Sequence, residues 1–247
     1  MNTYGLIGYP LGHSFSQKYF SQKFTDEQIQ DSFFELFPIP SIDMFPSLIS
    51  AHPTLRGLAV TIPYKEQVIP YLSQIDTVAA ETGAVNCIKI SGQEMKGFNT
   101  DIIGFENSFT PLLNRSHQKA LVLGTGGAAK AVQYVLRKMG MPFLTVSRQY
   151  ISKEGHIQYS QVDKNVLSEY TVIINCTPVG MYPNENQAPD LPYSFINETH
   201  YLYDLVYKPA ETMFLKYGKQ YGSTVKNGYE MLVLQAEENW KIWNDLN

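Results

Sequence analysis

Leu121-Val122-Leu123-Gly124-Thr125-Gly126-Gly127-Ala128-Ala129-Lys130-Ala131 lies near the middle of the 247-residue chain and decides how it is read. The run from Lys119 to Leu123 is short and apolar, the pattern of a strand buried on both faces. Gly124, Gly126 and Ala129 then fill a G-x-G-x-x-A spacing. The first glycine permits a sharp turn, the second lets backbone approach a pyrophosphate, and the small third residue lets helix and strand pack closely. Ala128, Val132, Val135, Leu136 and Met139 follow at spacings of three and four, which predicts one apolar helix face, with Gly140 as its C-cap. The start of that helix would turn free N–H groups and a partial positive charge on a phosphate. An ordinary strand–helix turn without a ligand has the same outline.

One strand further on lies the signal for cofactor type. Phe143-Leu144-Thr145-Val146 predicts the second strand, and it ends in Ser147-Arg148. An NAD site usually has a carboxylate there to hold the ribose 2′-hydroxyl. Arg148 instead offers a planar fork suited to a 2′-phosphate, which favours NADP over NAD. The alternative for Arg148 is a solvated surface side chain.

Composition narrows the classes. The length suits one large domain or two small ones. A net charge of −4 without a basic stripe argues against a nucleic-acid partner. No apolar run approaches the roughly 18 residues of a membrane span. Met1 leads into strand-like sequence with no signal-peptide pattern. The two cysteines, Cys87 and Cys176, lie in apolar segments without zinc-like spacing and read as small buried hydrophobes, so a reduced, cytoplasmic protein is expected. The five histidines are scattered, and no metal is expected.

The first half alternates strand and helix, which implies a mostly parallel sheet with its own core. Tyr4 to Gly8 predicts a strand, followed by a Gly/Pro-rich loop carrying Ser14 and Ser16. Two apart on an extended segment, these hydroxyls can face the same way and hold a carboxylate; equally, one can cap the next helix. Phe33 to Phe37 predicts a strand, Ile42 to Ser50 a helix, and Arg56 to Val60 a strand stopped by Pro63. Lys65 to Leu72 and Ile75 to Thr82 predict helices, and Gly83 to Ile90 a turn and strand. Ser91 to Glu94 predicts a hairpin turn, and a helix starts at Asp101. Lys65, Asn86 and Asp101 are polar positions at strand ends. Each has a plain alternative: a solvated lysine, a turn asparagine and a helix cap.

In the second half, Gly155 to Tyr159 predicts a short edge strand and Leu167 to Tyr170 a brief helix. Strands are expected at Val172 to Asn175 and Tyr201 to Val206, with a surface loop from Tyr182 to Pro192 between them. Thr212, Leu215, Lys216 and Lys219 predict a helix. The last helix is expected from Tyr229 to Trp243, with Leu232, Gln235, Ala236, Asn239 and Trp240 along one side.

Taken in order, these segments resemble the shikimate dehydrogenase family from the first strand to the last helix. The family's serine pair stands here as His13-Ser14-Phe15-Ser16, and its V-T-x-P-x-K segment as Val60 to Lys65. Its G-A-V-N segment is Gly83 to Asn86, and its G-x-N-T-D-x-x-G segment is Gly97 to Gly104. The glycine turn, Asn175 to Met181, and Gly228 to Ala236 complete the match. The resemblance implies two α/β domains with a cleft between them. One is a substrate-binding domain of residues 1–101, completed by the C-terminal helix 229–247. The other is a Rossmann-like NADP domain of residues 102–228. It further implies reversible NADPH-dependent reduction of 3-dehydroshikimate to shikimate, by a monomer or homodimer.

By the same resemblance, Lys65 and Asp101 form the catalytic pair. Ser14, Ser16, Thr61, Lys65, Asn86, Asp101, Tyr207 and Gln235 would bind substrate. Gly124, Gly126, Gly127, Ala128, Ser147, Arg148, Thr177, Val206 and Gly228 would bind cofactor. Plain alternatives are core packing for Tyr207 and a solvated helix position for Gln235. Two positions depart from the family: Ala59 stands where it usually has Asn, and Ser147-Arg148-Gln149 where it usually has N-R-T. The runner-up readings are a dehydrogenase that also takes quinate or NAD, and a non-catalytic dinucleotide sensor.

Overall fold

Hydrophobic side chains alternate along the first three strands, so both faces of their sheet are buried. These strands are β1 (Asn2–Gly8), β2 (Ser32–Pro38) and β3 (Leu55–Val60). Ile7, Phe37, Leu58 and Val60 enter one apolar cluster, while Tyr4, Leu6, Phe34 and Ala59 enter the other. The computed structural model describes residues 1–12, 14–149 and 151–246. The chain divides into two compact units, Met1–Thr100 with Gln235–Asn247, and Asp101–Leu234.

In the first unit, β4 (Gln74–Ile75), β5 (Cys87–Ser91) and β6 (Glu94–Phe98) complete a six-stranded sheet of order β2-β1-β3-β5-β6-β4. The β1–β2, β1–β3 and β4–β6 pairs are parallel. β5 is antiparallel to both β3 and β6, so the sheet is mostly parallel with one strand reversed. The helices are α1 (Phe15–Asp26), α2 (Phe45–Ala51) and α3 (Thr77–Thr82).

Two expected helices are corrected. Lys65 to Leu72 is a series of turns ending in a single 3₁₀ turn, Ile69–Tyr71. Pro70 has no N–H to give the Glu66 carbonyl, and a proline disfavours helical backbone at the residue before it. The expected Ile75–Thr82 helix begins only at Thr77, because Ile75 pairs in β4 and Asp76 is the N-cap, accepting from the Val78 N–H at 3.0 Å.

In the second unit, α4 (Asp101–Phe109) precedes β7 (Ala120–Leu123), α5 (Gly127–Lys138), β8 (Phe143–Ser147), β9 (His156–Gln158) and α6 (Lys164–Glu169). Then come β10 (Val172–Asn175), β11 (Tyr201–Asp204), α7 (Met213–Gln220), β12 (Thr224–Asn227) and α8 (Tyr229–Trp243). The sheet order is β12-β11-β10-β7-β8-β9 and every pair is parallel. This is the doubly wound dinucleotide-binding order, with its switch point between β7 and β10. The expected apolar face of α5 is shifted: Ala129, Ala131, Val132, Val135 and Leu136 are buried, whereas Met139 is the C-cap and 37% exposed. Thr212 is the N-cap of α7 rather than a helical position.

The C-terminal part of α8 belongs to the first unit because its side chains finish that core. Trp240 meets the Tyr4 ring edge-on at 5.2 Å and Trp243 stacks on it at 5.2 Å. A Cβ at Gly57 would lie 2.3 Å from the Trp243 ring, so this contact requires glycine. The indole N–H of Trp243 donates to the Ile88 carbonyl at 3.1 Å. Among the described residues, no helix is long and apolar enough to cross a membrane. Cys87 is fully buried; Cys176, expected to be so, is partly exposed in the loop that leaves β10.

Candidate active site

The strand directions gather the candidate residues of the first unit on one edge of its sheet. β1, β3 and β6 run the same way, and β5 runs against them. The ends of β1, β3 and β6 therefore share an edge with the start of β5. Ser14 follows β1, Thr61 and Lys65 follow β3, and Asn86 immediately precedes β5; along the chain, Asp101, the first residue of the second unit, is the third residue past β6. Backbone bonds stitch this edge together. The Thr61 N–H donates to Ile7 O at 3.0 Å, Val60 N–H to Asn86 O at 2.8 Å, Val85 N–H to Lys65 O at 2.7 Å and Asn86 N–H to Phe98 O at 3.0 Å. Lys65 is partly buried and Asp101 is 6% exposed.

Asn86 is held by a residue not singled out in the sequence. Its Oδ1 accepts from the backbone N–H of Thr100 at 2.7 Å, and its Nδ2 donates to Thr100 Oγ1 at 3.0 Å. The Thr100 hydroxyl in turn donates to Asn239 Oδ1 on α8 at 2.6 Å. Asn239 Nδ2 donates to Gln235 Oε1 one turn earlier, at 3.4 Å. All four side chains are nearly or fully buried, so Gln235 is not the solvated helix position its alternative described. Next door, Asn99 Nδ2 donates to Thr82 Oγ1 at 3.2 Å and to Ala84 O at 3.1 Å, tying the loop after β6 to the end of α3.

The serine pair does not sit on an extended segment, which corrects that premise. α1 starts at Phe15, so Ser16 is helical and strand alternation does not set the relative direction of the two side chains. Ser14 is the N-cap, its Oγ accepting from Gln17 N–H at 3.5 Å. His13, quoted with the pair, lies outside the described residues.

In the second unit the candidate cofactor residues all follow strands of one direction. Gly124, Gly126, Gly127 and Ala128 follow β7, Arg148 follows the last residue of β8, Ser147, Thr177 follows β10, Val206 follows β11 and Gly228 follows β12. Gly124 (φ +106°) and Thr177 flank the switch point, and a Cβ on Gly124 would lie 3.0 Å from the Thr177 methyl. Gly126 has ordinary backbone angles and nothing within 4 Å of where its Cβ would be. Neither backbone nor protein packing requires glycine there, so the open space suits a ligand. α5 begins at Gly127 with Gly126 as its N-cap, so no side chain caps its first N–H groups. The donor set therefore fits a pyrophosphate. Arg148 is exposed past β8, where no carboxylate stands; Ser147 Oγ donates to Gln149 O at 2.6 Å. Among the described residues, no group of three or more His, Cys, Asp and Glu side chains could hold a metal ion.

Residues 6–88 match the family model for the shikimate dehydrogenase substrate binding domain. A curated NADP(+) shikimate dehydrogenase from Halothermothrix orenii is 35% identical over 98% of this chain and 90% of its own length. The chain belongs to the shikimate dehydrogenase family. Two solved shikimate dehydrogenases extend the likeness to the fold. That of Peptoclostridium difficile is 35% identical with a TM-score of 0.83, over 99% of this chain and 92% of its own. That of Thermus thermophilus, solved with NADP(H) and shikimate, is 27% identical with a TM-score of 0.86, over 99% and 94%.

Within this shikimate dehydrogenase fold, Ala59 has no polar partner to offer: it is 5% exposed and packs in the apolar cluster with Leu6 and Cys87. Tyr207 follows β11 in the second unit and is half-buried, which raises its phenol pKa.

The sequence reading also passed over Asp204, the last residue of β11, which is fully buried. Its Oδ1 accepts from Asn175 Nδ2 at 2.9 Å and Val206 N–H at 3.0 Å, and its Oδ2 from the Thr212 hydroxyl at 2.6 Å. Asn175 Oδ1 accepts from the Thr177 N–H and hydroxyl. One carboxylate thus fixes the loops that carry Thr177 and Val206. Burial raises it from 3.8 to about 6, against the lowering effect of its three donors. A further constraint comes at Gly228, where a Cβ would meet Leu205 O at 2.2 Å, so only glycine lets α8 start there.

Proposed function

We propose that this chain reduces 3-dehydroshikimate to shikimate with NADPH, reversibly, as an NADP-dependent oxidoreductase of the shikimate pathway. The observation that carries the reading is the meeting of Ser14, Thr61, Lys65 and Asn86 on one sheet edge, with Asp101 just past it, in a chain similar to shikimate dehydrogenases over nearly its whole length. NADPH supplies a hydride to the ring ketone when bound. Lys65 Nζ gives the proton to the carbonyl oxygen as it gains charge, and Asp101 orients the same group. Ser14 and Ser16 hold the substrate carboxylate, and Thr61, Asn86, Gln235 and Tyr207 the ring hydroxyls. Gly124 to Ala128 cradle the pyrophosphate with Thr177, Val206 and Gly228 alongside, while Ser147 and Arg148 take the 2′-phosphate. The unpaired Cys87 and Cys176 suit a reducing compartment, and the reading places the enzyme in the cytoplasm.

Steady-state assays with shikimate and quinate, each against NADP and NAD, test this. The highest kcat/KM is expected for shikimate with NADP. Comparable turnover of quinate would broaden the substrate class. Binding of NADPH with turnover of neither substrate would make the chain a dinucleotide sensor and overturn the reading.

A further inference from the structure

We propose that Asp204, acting through the Asn175 amide and the Val206 N–H, is a positioning residue for the cofactor: it holds the loops after β10 and β11 in the shape that binds NADP(H). The role rests on the reading that Thr177 and Val206 border the cofactor.

The argument starts from one group whose direction is fixed. A backbone N–H can only donate, so the Asn175 atom 3.0 Å from Thr177 N is the carbonyl oxygen. Asn175 Nδ2 is then the atom 2.9 Å from Asp204 Oδ1. The same NH₂ reaches Val179 O at 3.3 Å. The Thr177 hydroxyl donates to Asn175 Oδ1 at 2.6 Å and accepts from the Val179 N–H at 3.3 Å. The loop from Asn175 to Val179 therefore closes on one amide, and a carboxylate on the next strand aims that amide. Asp204 Oδ1 takes a second donor from its own loop, the Val206 N–H at 3.0 Å. Oδ2 takes the hydroxyl of Thr212, the N-cap of α7, at 2.6 Å. The far end of the first loop rests on the same threonine, since a Cβ on Gly180 (φ +92°) would lie 3.3 Å from Thr212 Cβ. Asn175, Asp204, Val206 and Thr212 are all buried, and the whole cluster lies in the second unit.

Pairing of β10 with β11 already sets the register of these strands. The carboxylate acts beyond their ends, on the edge of a doubly wound sheet where ligands bind. Burial there is costly and raises Asp204 to about 6, whereas an apolar residue of similar size would pack without that penalty. An apolar residue could not accept from two loops at once. Asn175 would lose the partner that aims its amide, and with it the frame on which Thr177 is held.

The test uses the full-length protein and NADPH binding measured by calorimetry, which needs no turnover. Asp204→Leu is expected to raise the NADPH Kd about tenfold, the worth of one directed hydrogen bond, and to weaken shikimate binding less. Asn175→Ala should do the same, and the double variant should lose less than the product, because both changes cut one linkage. Asp204→Asn can still accept from Asn175 and Val206, and should stay within about threefold of wild type. A lower melting temperature with a wild-type NADPH Kd in Asp204→Leu and Asn175→Ala would make the cluster purely structural and overturn the proposal. Equal losses for NADPH and shikimate, an Asp204→Asn variant as weak as Asp204→Leu, or failure of both Asp204→Leu and Asn175→Ala to fold would overturn it as well. A wild-type protein that binds NADPH but turns over no shikimate overturns the functional reading and leaves this role to be decided by the Kd values. A wild-type protein that does not bind NADPH overturns the cofactor reading, and this role with it.

Discussion

The two units hold their functional edges in chemically different ways. In the first, Asn86, Thr100, Asn239 and Gln235 form a chain of neutral amides and one hydroxyl. In the second, the ionisable Asp204 gathers Asn175, Val206 and Thr212 around one carboxylate. Both groups are buried, and both satisfy the rule that buried polar atoms find partners. The neutral chain gives direction, since each amide fixes the next. The carboxylate gives reach, since two oxygens accept from three donors, and its cost is desolvation of a charge. The substrate-side chain of Asn86, Thr100, Asn239 and Gln235 contains no ionisable group, whereas the cofactor-side anchor is one.

The largest expected effect falls on the chemistry, where Lys65 stands in the first unit. Lys65→Met should lower kcat by roughly 10²–10⁴-fold, or about 3–5 kcal/mol of barrier, with a normal melting temperature. Asp101→Asn should also lower kcat, and the double variant should lose less than the product of the two, because the residues act on one group. A Lys65→Met enzyme with near-normal kcat would remove that lysine from proton transfer.

Next in size is the neutral chain. Thr100→Val removes the hydroxyl that accepts from Asn86 Nδ2 and leaves Asn239 Oδ1 without its Thr100 donor. At about 1–3 kcal/mol for an unsatisfied buried group, denaturant unfolding should show a loss of roughly 2–4 kcal/mol. The loss should be the same at pH 5 and pH 8. A pH-dependent loss would break the contrast between the units.

Asp204→Asn provides the opposite case. An asparagine can still accept from Asn175 and Val206 at Oδ1 and, with Thr212 reversed, donate to its hydroxyl. Asp204 has a native pKa of about 6 against an ordinary 3.8. Between these values the native chain keeps a proton that the unfolded chain releases. The stability from this group is therefore fully present below the lower value and is lost as pH rises through about 6. The stability of Asp204→Asn relative to wild type should increase from pH 4 to pH 7, by on the order of 2 kcal/mol. A difference that stays flat over that range would show that the carboxylate is not desolvated.

An effect of comparable size concerns Arg148, which is exposed past β8 in the second unit. Loss of a charge-assisted contact costs about 1.5–3 kcal/mol, or roughly 10- to 100-fold. Arg148→Ala should raise the KM for NADP by that factor and leave NAD use and the shikimate KM nearly unchanged. Equal losses with both cofactors would mean that Arg148 does not read the 2′-phosphate.

The sequence by itself determined what is local. The apolar run before Gly124, the glycine spacing and the helix after it specify a strand, turn and helix, and all three stand where they were read. The edge strand at His156–Gln158 and the span of α8, Tyr229–Trp243, were legible for the same reason: side-chain periodicity is a property of neighbours in the chain. The backbone at Ser16 was read as extended because the choice between loop and helix at residue 15 is set by packing of Phe20 and Phe24 against the first unit's core. Only the tertiary structure decided that β5 runs backwards and brings Asn86 to the edge that carries Lys65. It also joined Thr100 to Asn239 across 139 residues and placed Asp204 against Asn175 and Thr212. A buried hydrogen bond forms where folding excludes water and leaves two polar groups no other partner. That condition depends on which elements pack together, and local residue pattern carries no record of it.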